Sequence, residues 1–362
     1  MNQLTCRAEL ELTHLHEYLH LIVDRLASFE SSVDQQPDGV GFTFPFGSAF
    51  LGTPPDALVM ELAANDVDGL QRVRELITVA VQLYAKREEP KIVWKGDLAG
   101  EHKLVTFRKM RVVRSQSITP HMQRVRLGGD NLERFQLFGG MHVRMFFPTP
   151  ENPEPVWPVA GPDGLQHWPD AARKPQARVY TIRHLDVEAG FMDVDMVVHG
   201  EHGGENGIGS CWAQTAAPGD EVGLIGPLGR PVREADWYVM GCDETGLPAV
   251  SRILETLPAN TRGVAFIEIA DAAEQQAINH PDGFDVHWIH RDGVRAGEHP
   301  ELVARLKQIV WPENVLTFGF FAGEGEQARE LRDYWRKDLS YGREKAIIAG
   351  YWRRGVAGVM AG

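Results

Sequence analysis

The segment of this 362-residue chain with the clearest chemical potential runs from Arg178 to Arg183 and reads RVYTIR. It predicts a β-strand, in which successive side chains point to opposite faces. Arg178 then shares a face with Tyr180 and Ile182, whereas Thr181 points to the other side. A flavin nucleotide needs such a mixture: a cation for its pyrophosphate, an aromatic side chain for its ring or ribose, and a small hydroxyl near its redox-active nitrogen. Taken alone, these six residues also fit an amphipathic strand with exposed arginines.

A glycine-rich segment follows at residues 203–209 and precedes a short helix predicted over residues 210–216. Free backbone N–H groups at a helix N-terminus attract anions, typically phosphate. Ser210 can cap that helix or donate to the phosphate. An ordinary glycine-rich loop is the alternative interpretation. His199 ends the strand before this segment, where it can border a ligand or simply be a polar strand end.

Acidic turns follow two further predicted strands. Asp243, Glu244 and Thr245 follow the first, and Glu324 follows the second. In an open parallel sheet, ligands bind at the carboxyl ends of the strands. These side chains can hydrogen-bond ribose hydroxyls or cap the following helices, and capping is the simpler explanation for Glu324. The sequence lacks the Gly-x-Gly-x-x-Gly fingerprint of standard dinucleotide-binding folds.

Near the end of the chain, Tyr351 and Trp352 are followed by Arg353 and Arg354. Such a segment fits a strand edge with a solvated tail. It fits equally well an aromatic cover for a flat cofactor beside cations that attract an anionic substrate.

The formal net charge is −13, which disfavours nucleic-acid and anionic-membrane binding through the overall field. None of the three cysteines lies in a Cys-x-x-Cys pair, so neither a metal ligand set nor an iron–sulfur cluster is indicated. The low cysteine content fits a reducing compartment. The N-terminus lacks the features of a secretory signal, and no apolar stretch approaches membrane-spanning length. We therefore expect a cytoplasmic protein with no nucleic-acid partner and no membrane insertion.

The order of predicted elements indicates three domains. Residues 1–98 form a small α+β domain that starts with an amphipathic helix over residues 10–29. Residues 103–232 form an antiparallel β-barrel, interrupted by a Pro- and Gly-rich insertion at residues 148–175 that is long enough to be a functional loop. Residues 235–356 alternate strands and helices, which indicates a parallel α/β domain.

Taken in order, these motifs resemble the siderophore-interacting proteins, FAD-dependent ferric-siderophore reductases of the ferredoxin-reductase superfamily. The resemblance covers roughly residues 103–356 and rests on six ordered segments: RVYTIR at 178, DMVVHG at 195, GSCWA at 209, GCDETGLPA at 241, AGE at 322 and GYWRRG at 350. Cys211 and Cys242 depart from the residues usual at their positions. The first domain resembles a small domain of unknown function that is sometimes fused to these reductases.

The resemblance implies an antiparallel Greek-key barrel that binds FAD, and a C-terminal domain of the nicotinamide-binding type. It implies that Thr181 and Trp352 lie nearest the electron transfer. It implies that Arg144, Arg353 and Arg354 receive the anionic ferric siderophore. The implied cofactor-binding residues are Arg178, Val179, Tyr180, Thr181, Arg183, His199, Gly207, Gly209, Ser210, Asp243, Glu244, Thr245 and Glu324.

The family's chemistry implies that NAD(P)H, or a reduced carrier such as ferredoxin, reduces the FAD, which then reduces siderophore-bound Fe(III) to Fe(II). The acidic turn at Asp243 and Glu244 favours NADH, because it would repel a 2′-phosphate. Two alternatives remain open: a flavin reductase for another small molecule or redox protein, and a siderophore-binding module without turnover.

Overall fold

The computed structural model describes residues 3–29, 31–100, 102–137, 140–198 and 207–356. In chain order its elements are β1 (Leu4–Glu11), α1 (Leu15–Ala27), β2 (Ser32–Gln36), β3 (Gly39–Phe44), β4 (Gly47–Gly52), β5 (Ala57–Ala64), α2 (Val67–Tyr84), β6 (Lys95–Gly96), β7 (His102–Lys103), β8 (Phe107–Thr119), β9 (Met122–Gly128), α3 (Arg134–Leu137), β10 (His142–Phe147), β11 (Val159–Ala160), β12 (Gln166–His167), β13 (Gln176–Asp186), β14 (Phe191–Val197), α4 (Ile208–Thr215), β15 (Glu221–Leu228), β16 (Trp237–Cys242), α5 (Leu247–Thr256), β17 (Arg262–Ile269), β18 (Phe284–His290), α6 (Glu301–Lys307), β19 (Thr317–Glu324), α7 (Gly325–Asp333) and β20 (Ala346–Trp352). The chain forms two compact units, residues 1–107 with 154–174 and residues 108–153 with 175–362.

The first unit contains a six-stranded antiparallel sheet in the order β2-β3-β4-β5-β1-β6. Its core lies on the sheet face that packs against α1 and α2. The helix predicted over residues 10–29 begins only at Leu15, because the preceding residues form the interior strand β1. Cys6, Ala8 and Leu10 alternate as buried residues along β1, and this period of two marks a strand.

Part of the predicted barrel insertion, residues 154–174, belongs to this first unit. There β11 and β12 form a small antiparallel sheet with β7. The turn between β11 and β12 is bound to α2: the Asp163 carbonyl accepts from the Thr78 hydroxyl at 3.0 Å, and the Gly164 carbonyl accepts from the Gln71 amide at 2.7 Å. This segment therefore completes the N-terminal fold. The predicted domain boundaries themselves stay predictions.

The second unit begins with the predicted antiparallel barrel, closed in the order β10-β13-β14-β9-β8-β15. Alternate side chains of each strand fill its interior, among them Val143, Met145 and Phe147 of β10. The barrel is followed by a parallel five-stranded sheet in the order β18-β17-β16-β19-β20. Its strand order reverses between β16 and β19, the point where ligands bind in open α/β sheets. The predicted fold class, α+β and α/β multidomain, is confirmed.

Candidate active site

Strand β13 carries the Arg178 to Arg183 segment in the barrel wall between β10 and β14. Ile182 is fully buried in the barrel core, and Tyr180 packs against the same core. Thr181 points to the outer face, is 3% exposed and pairs across the strands with His142 of β10. The strand therefore presents two different surfaces.

On the inner side, Tyr180 meets the beginning of α4. Its ring lies edge-on to Phe147, with centroids 6.2 Å apart. A Cβ placed on Gly209, in the first turn of α4, would lie 1.8 Å from the Tyr180 hydroxyl oxygen. Because no side chain fits that gap, glycine lets the helix N-terminus contact the predicted cofactor strand. Burial raises the pKa of Tyr180, and the nearby Arg178 cation opposes this rise. Because the pKa stays raised, the phenol is neutral.

The donors around this contact suit an anion. The half-buried Arg178 guanidinium donates to the neighbouring Ala177 carbonyl at 2.7 Å. Gly207 is the N-cap of α4, and a Cβ there would have nothing within 4 Å. Ser210 is buried in the first turn of the helix. One cation, one helix N-terminus and open space beside it form a donor set that fits the pyrophosphate of FAD.

On the outer face of the barrel, His142, Thr181 and Tyr351 form one polar group. The His142 Nε2 atom is hydrogen-bonded to the Tyr351 hydroxyl, and the two rings stand edge-on with centroids 5.4 Å apart. Burial raises the pKa of Tyr351, and the nearby Thr181 opposes that rise. Thr181, predicted to lie nearest the electron transfer, is thus the cross-strand partner of the residue that binds Tyr351 of β20. Val179 and Arg144 pair across the strands on the same outer face.

Asp243 lies at the switch point and organises the turn after β16. Its Oδ1 atom accepts from the Thr245 amide at 2.8 Å, and its Oδ2 atom accepts from Trp352 Nε1 at 2.7 Å. Burial raises the pKa of Asp243 to about 6, and the neighbouring Glu244 adds to the rise. Trp352 is thus fixed to the α/β sheet through its indole N–H.

Glu244, the second acidic residue of that turn, is paired with the buried Arg291, which follows β18. Arg291 also lies 3.4 Å from Glu268 of β17. The Nδ1 atom of His299 lies 3.9 Å from the other carboxylate oxygen of Glu268. Because Glu244 faces a cation and Asp243 binds Trp352, this turn does not favour NADH over NADPH.

Glu268 should make stability depend on pH. It is fully buried, which raises its pKa to about 7, with Arg291 opposing the rise. A carboxyl whose folded-state pKa is raised stabilises the protein below its unfolded pKa, and that contribution is lost as the pH rises through 7. Glu268→Gln should leave the free energy of unfolding in urea nearly unchanged at pH 4.5 and raise it by about 2–3 kcal/mol over the parent at pH 8. Glu313→Gln, at an exposed site, is the control; equal pH slopes for parent and Glu268→Gln would contradict this assignment.

Arg183, predicted to bind the cofactor, is engaged elsewhere. Its guanidinium donates to both Glu255 carboxylate oxygens of α5, at 2.5 and 2.6 Å. Asp195 lies 3.9 Å from its Nε atom. The Arg183 side chain therefore joins the barrel to the α/β domain.

Glu324 accepts hydrogen bonds from the Glu326 and Gln327 amides and caps α7, the simpler of its two predicted roles. Arg354 is exposed and paired with Glu298 at 3.2 Å and Glu326 at 3.6 Å. Arg353 is exposed, and within the described residues its side chain forms no ion pair. Of the predicted substrate-binding cations near the C-terminus, Arg353 is thus the more available.

Sequence reasoning overlooked His142, Arg291 and Glu268. His142 stands two positions before Arg144, with the apolar Val143 between them. This alternation was the signal that His142 and Arg144 share the outer face of the strand. Arg291 directly follows a strand that ends at the ligand-binding edge of the sheet, where a cation indicates a possible role near the site. His199 lies outside the described residues.

The part of the chain that the structure describes contains no helix long and apolar enough to span a membrane. It also contains no cluster of three or more metal-ligating His, Cys, Asp or Glu side chains.

Three sequence models of protein families match the chain: the siderophore-interacting FAD-binding domain at residues 111–231, the siderophore-interacting protein domain at 235–355, and the uncharacterized bacterial family DUF2218 at 7–95. The ferric vibriobactin reductase of Vibrio cholerae is 33% identical over 71% of this chain and 93% of its own length. The NADPH-dependent ferric-chelate reductase of Escherichia coli is 32% identical over 68% of this chain and 92% of its own length.

Solved structures agree with the sequence matches. A siderophore utilization protein from T. fusca aligns with a TM-score of 0.61 and 35% identity, covering 72% of this chain and 99% of that one. The siderophore-interacting protein of Aeromonas hydrophila aligns with a TM-score of 0.58 and 28% identity, covering 69% and 93%. The chain therefore belongs to the siderophore-interacting protein family, as a flavin-dependent oxidoreductase preceded by a DUF2218 domain.

Proposed function

We propose that this protein is an FAD-dependent ferric-siderophore reductase that takes electrons from NAD(P)H. The observation that carries the proposal is the contact between Tyr180 and Gly209, which places the N-terminus of α4 beside the Arg178 strand. This is a pyrophosphate site on the barrel that matches an FAD-binding family. When bound, FAD accepts a hydride from a nicotinamide and passes single electrons to Fe(III).

The chain's own residues have separate tasks around the cofactor. Arg178 and the α4 amides hold the pyrophosphate, and Gly207 lets it approach the backbone. Gly209 leaves room for the Tyr180 hydroxyl. Tyr180 packs against the cofactor as a neutral phenol. Thr181 supplies a buried hydroxyl on the opposite face of the same strand.

The siderophore enters as substrate with its iron, so the protein needs no iron ligand of its own. Arg144 and Arg353 are the cations proposed to receive the anionic complex, with Arg354 in a supporting place because Glu298 and Glu326 already oppose its charge. Reduction to Fe(II) weakens its binding by hard oxygen ligands and releases it. We place this activity in the cytoplasm, where thiols outside disulfides, such as those of Cys6 and Cys242, are typical.

Anaerobic stopped-flow reduction tests the function. The flavin absorbance of the purified full chain, loaded with FAD, should bleach with NADPH, NADH or a reduced two-iron ferredoxin. The donor with the fastest flavin reduction is the effective one. Addition of ferric siderophores of catecholate and hydroxamate type should reoxidise the flavin and yield Fe(II), captured by a ferrous chelator. Bleaching without Fe(II) formation would favour a reductase with another acceptor. Siderophore binding without any bleaching would favour a binding module.

A further inference from the structure

The connection between β18 and α6 crosses the carboxyl edge of the parallel sheet. Its first backbone N–H group, that of Arg291, donates to the Ile269 carbonyl at 3.0 Å, so the connection starts beside the end of β17. Near its end, the His299 carbonyl accepts from the Gln327 side-chain amide of α7 at 3.3 Å. Because α7 follows β19, residues 291–299 (the strap) pass over the switch point between β16 and β19.

The strap lies directly on the residues at the switch point. A Cβ placed on Gly297 would lie 2.8 Å from Glu324 Cγ and 3.2 Å from the Trp352 ring atom Cη2, so glycine lets the strap approach both side chains. Glu324 ends β19 and is 2% exposed. Trp352 ends β20 and binds Asp243, which follows β16. Gly297, Trp352 and Asp243 therefore occupy the crevice in which open α/β sheets bind nucleotides.

The start of the strap is held more firmly than its middle. At the start, the buried Arg291 pairs with both Glu244 and Glu268. In the middle, Glu298 pairs with Arg354 at 3.2 Å, and these two side chains are 40% and 46% exposed. An ion pair with that much access to water contributes little stability. The middle of the strap can therefore leave the switch point while its buried start stays in place.

We propose that the strap closes the switch point, and that a nicotinamide nucleotide binds only after the middle of the strap has moved away from Trp352. The inference rests on the proposed function, in which NAD(P)H reduces FAD. The nucleotide and the closed strap compete for one crevice, so the measured dissociation constant is the intrinsic constant divided by the open fraction. Dithionite reduces a flavin without occupying a nucleotide site, so its reaction does not depend on the strap.

The first test measures nucleotide binding without turnover. Gly297→Ala places a methyl group against Glu324 and Trp352 and so disfavours the closed strap. Gly293→Ala is the matched control, because Gly293 also has a positive φ, +94° against +76°, but a Cβ there would have nothing within 4 Å. In calorimetric titrations of the full chain loaded with FAD, the dissociation constants of NADP⁺ and NAD⁺ should be about five- to tenfold lower in Gly297→Ala than in Gly293→Ala.

The second test leaves the glycines of the strap unchanged. Glu298→Gln removes the ion pair with Arg354 and should lower the same dissociation constants about two- to threefold. Glu313→Gln, at an exposed site outside the strap, should leave them at the parent values. In stopped-flow experiments, Gly297→Ala should speed flavin reduction by NAD(P)H below saturation, whereas reduction by dithionite should keep the parent rate.

The outcomes separate the two proposals. Equal dissociation constants in Gly297→Ala and Gly293→Ala would overturn the role of the strap. A change confined to Glu298→Gln would do the same, because it would show that the freed Arg354 charge attracts the nucleotide. If Gly297→Ala does not fold, unchanged constants in Glu298→Gln overturn the proposal. A parent protein that takes up no FAD would overturn the proposed function, while titration of the flavin-free chain with NADP⁺ and NAD⁺ would still test the strap.

Discussion

Arg291→Leu should lower the free energy of unfolding by about 3–5 kcal/mol at pH 8, the usual cost of removing one partner from a buried ion pair. The Arg291 guanidinium is 6% exposed and pairs with both Glu244 and Glu268. Glu268 is wholly buried, so its charge has no access to water once Arg291 is gone. Chemical denaturation followed by far-UV circular dichroism gives the loss.

The pH dependence distinguishes lost charge pairing from lost packing. Burial raises the pKa of Glu268 to about 7, so this carboxyl is protonated in the parent at pH 5. The loss of unfolding free energy caused by Arg291→Leu should therefore be smaller at pH 5 than at pH 8. Arg295→Leu, at an exposed position of the same loop, removes a cation of equal size and should change stability by less than about 0.5 kcal/mol. A loss that is the same at pH 5 and pH 8 would show that Arg291 acts through packing alone.

Local patterns predicted the elements that their own residues specify. The β13 strand, the short helix after the glycine-rich segment and the alternating α/β elements all follow from periodicity and turn residues. The error at the N-terminus arose because the helix was extended back to Leu10, although Cys6, Ala8 and Leu10 alternate as buried residues of a strand. A short apolar pattern does not separate the two periods.

The polar groups of the site were harder to predict because tertiary contacts form them. His142 and Tyr351 are 209 positions apart, and Glu244 and Arg291 are 47 apart. No spacing rule links such residues before the strand order is known. Residues that looked available in the sequence, such as Arg183 and Glu324, proved to be engaged with Glu255 and with the amides of α7.

The contacts of the insertion at residues 148–175 were also not predictable from local sequence. Its length and its Pro and Gly content indicated a functional loop, yet Asp163 and Gly164 supply backbone carbonyls to α2. Trp94 Nε1 also donates to the Asp163 carbonyl at 3.0 Å. These contacts satisfy buried side chains of the first unit, and the sequence of the insertion gave no sign of its partner.

Arg178→Ala should release FAD. The guanidinium is the cation beside Tyr180 and α4, and it is half-buried, so its bond to a phosphate is charge-assisted and partly shielded from water. Losing a bond of about 1.5–3 kcal/mol should weaken FAD binding by about ten- to 150-fold. The ratio of flavin absorbance to protein absorbance after gel filtration, and titration of the apoprotein with FAD, measure the effect.

Two variants give this result its meaning. Arg178→Lys keeps the charge but loses the planar fork, so it should retain FAD better than Arg178→Ala and less well than the parent. Arg114→Ala removes an exposed arginine of the same barrel and should leave flavin content unchanged. Full flavin content in Arg178→Ala would contradict the assignment of Arg178 to the pyrophosphate, because a phosphate that loses a charge-assisted bond must bind more weakly.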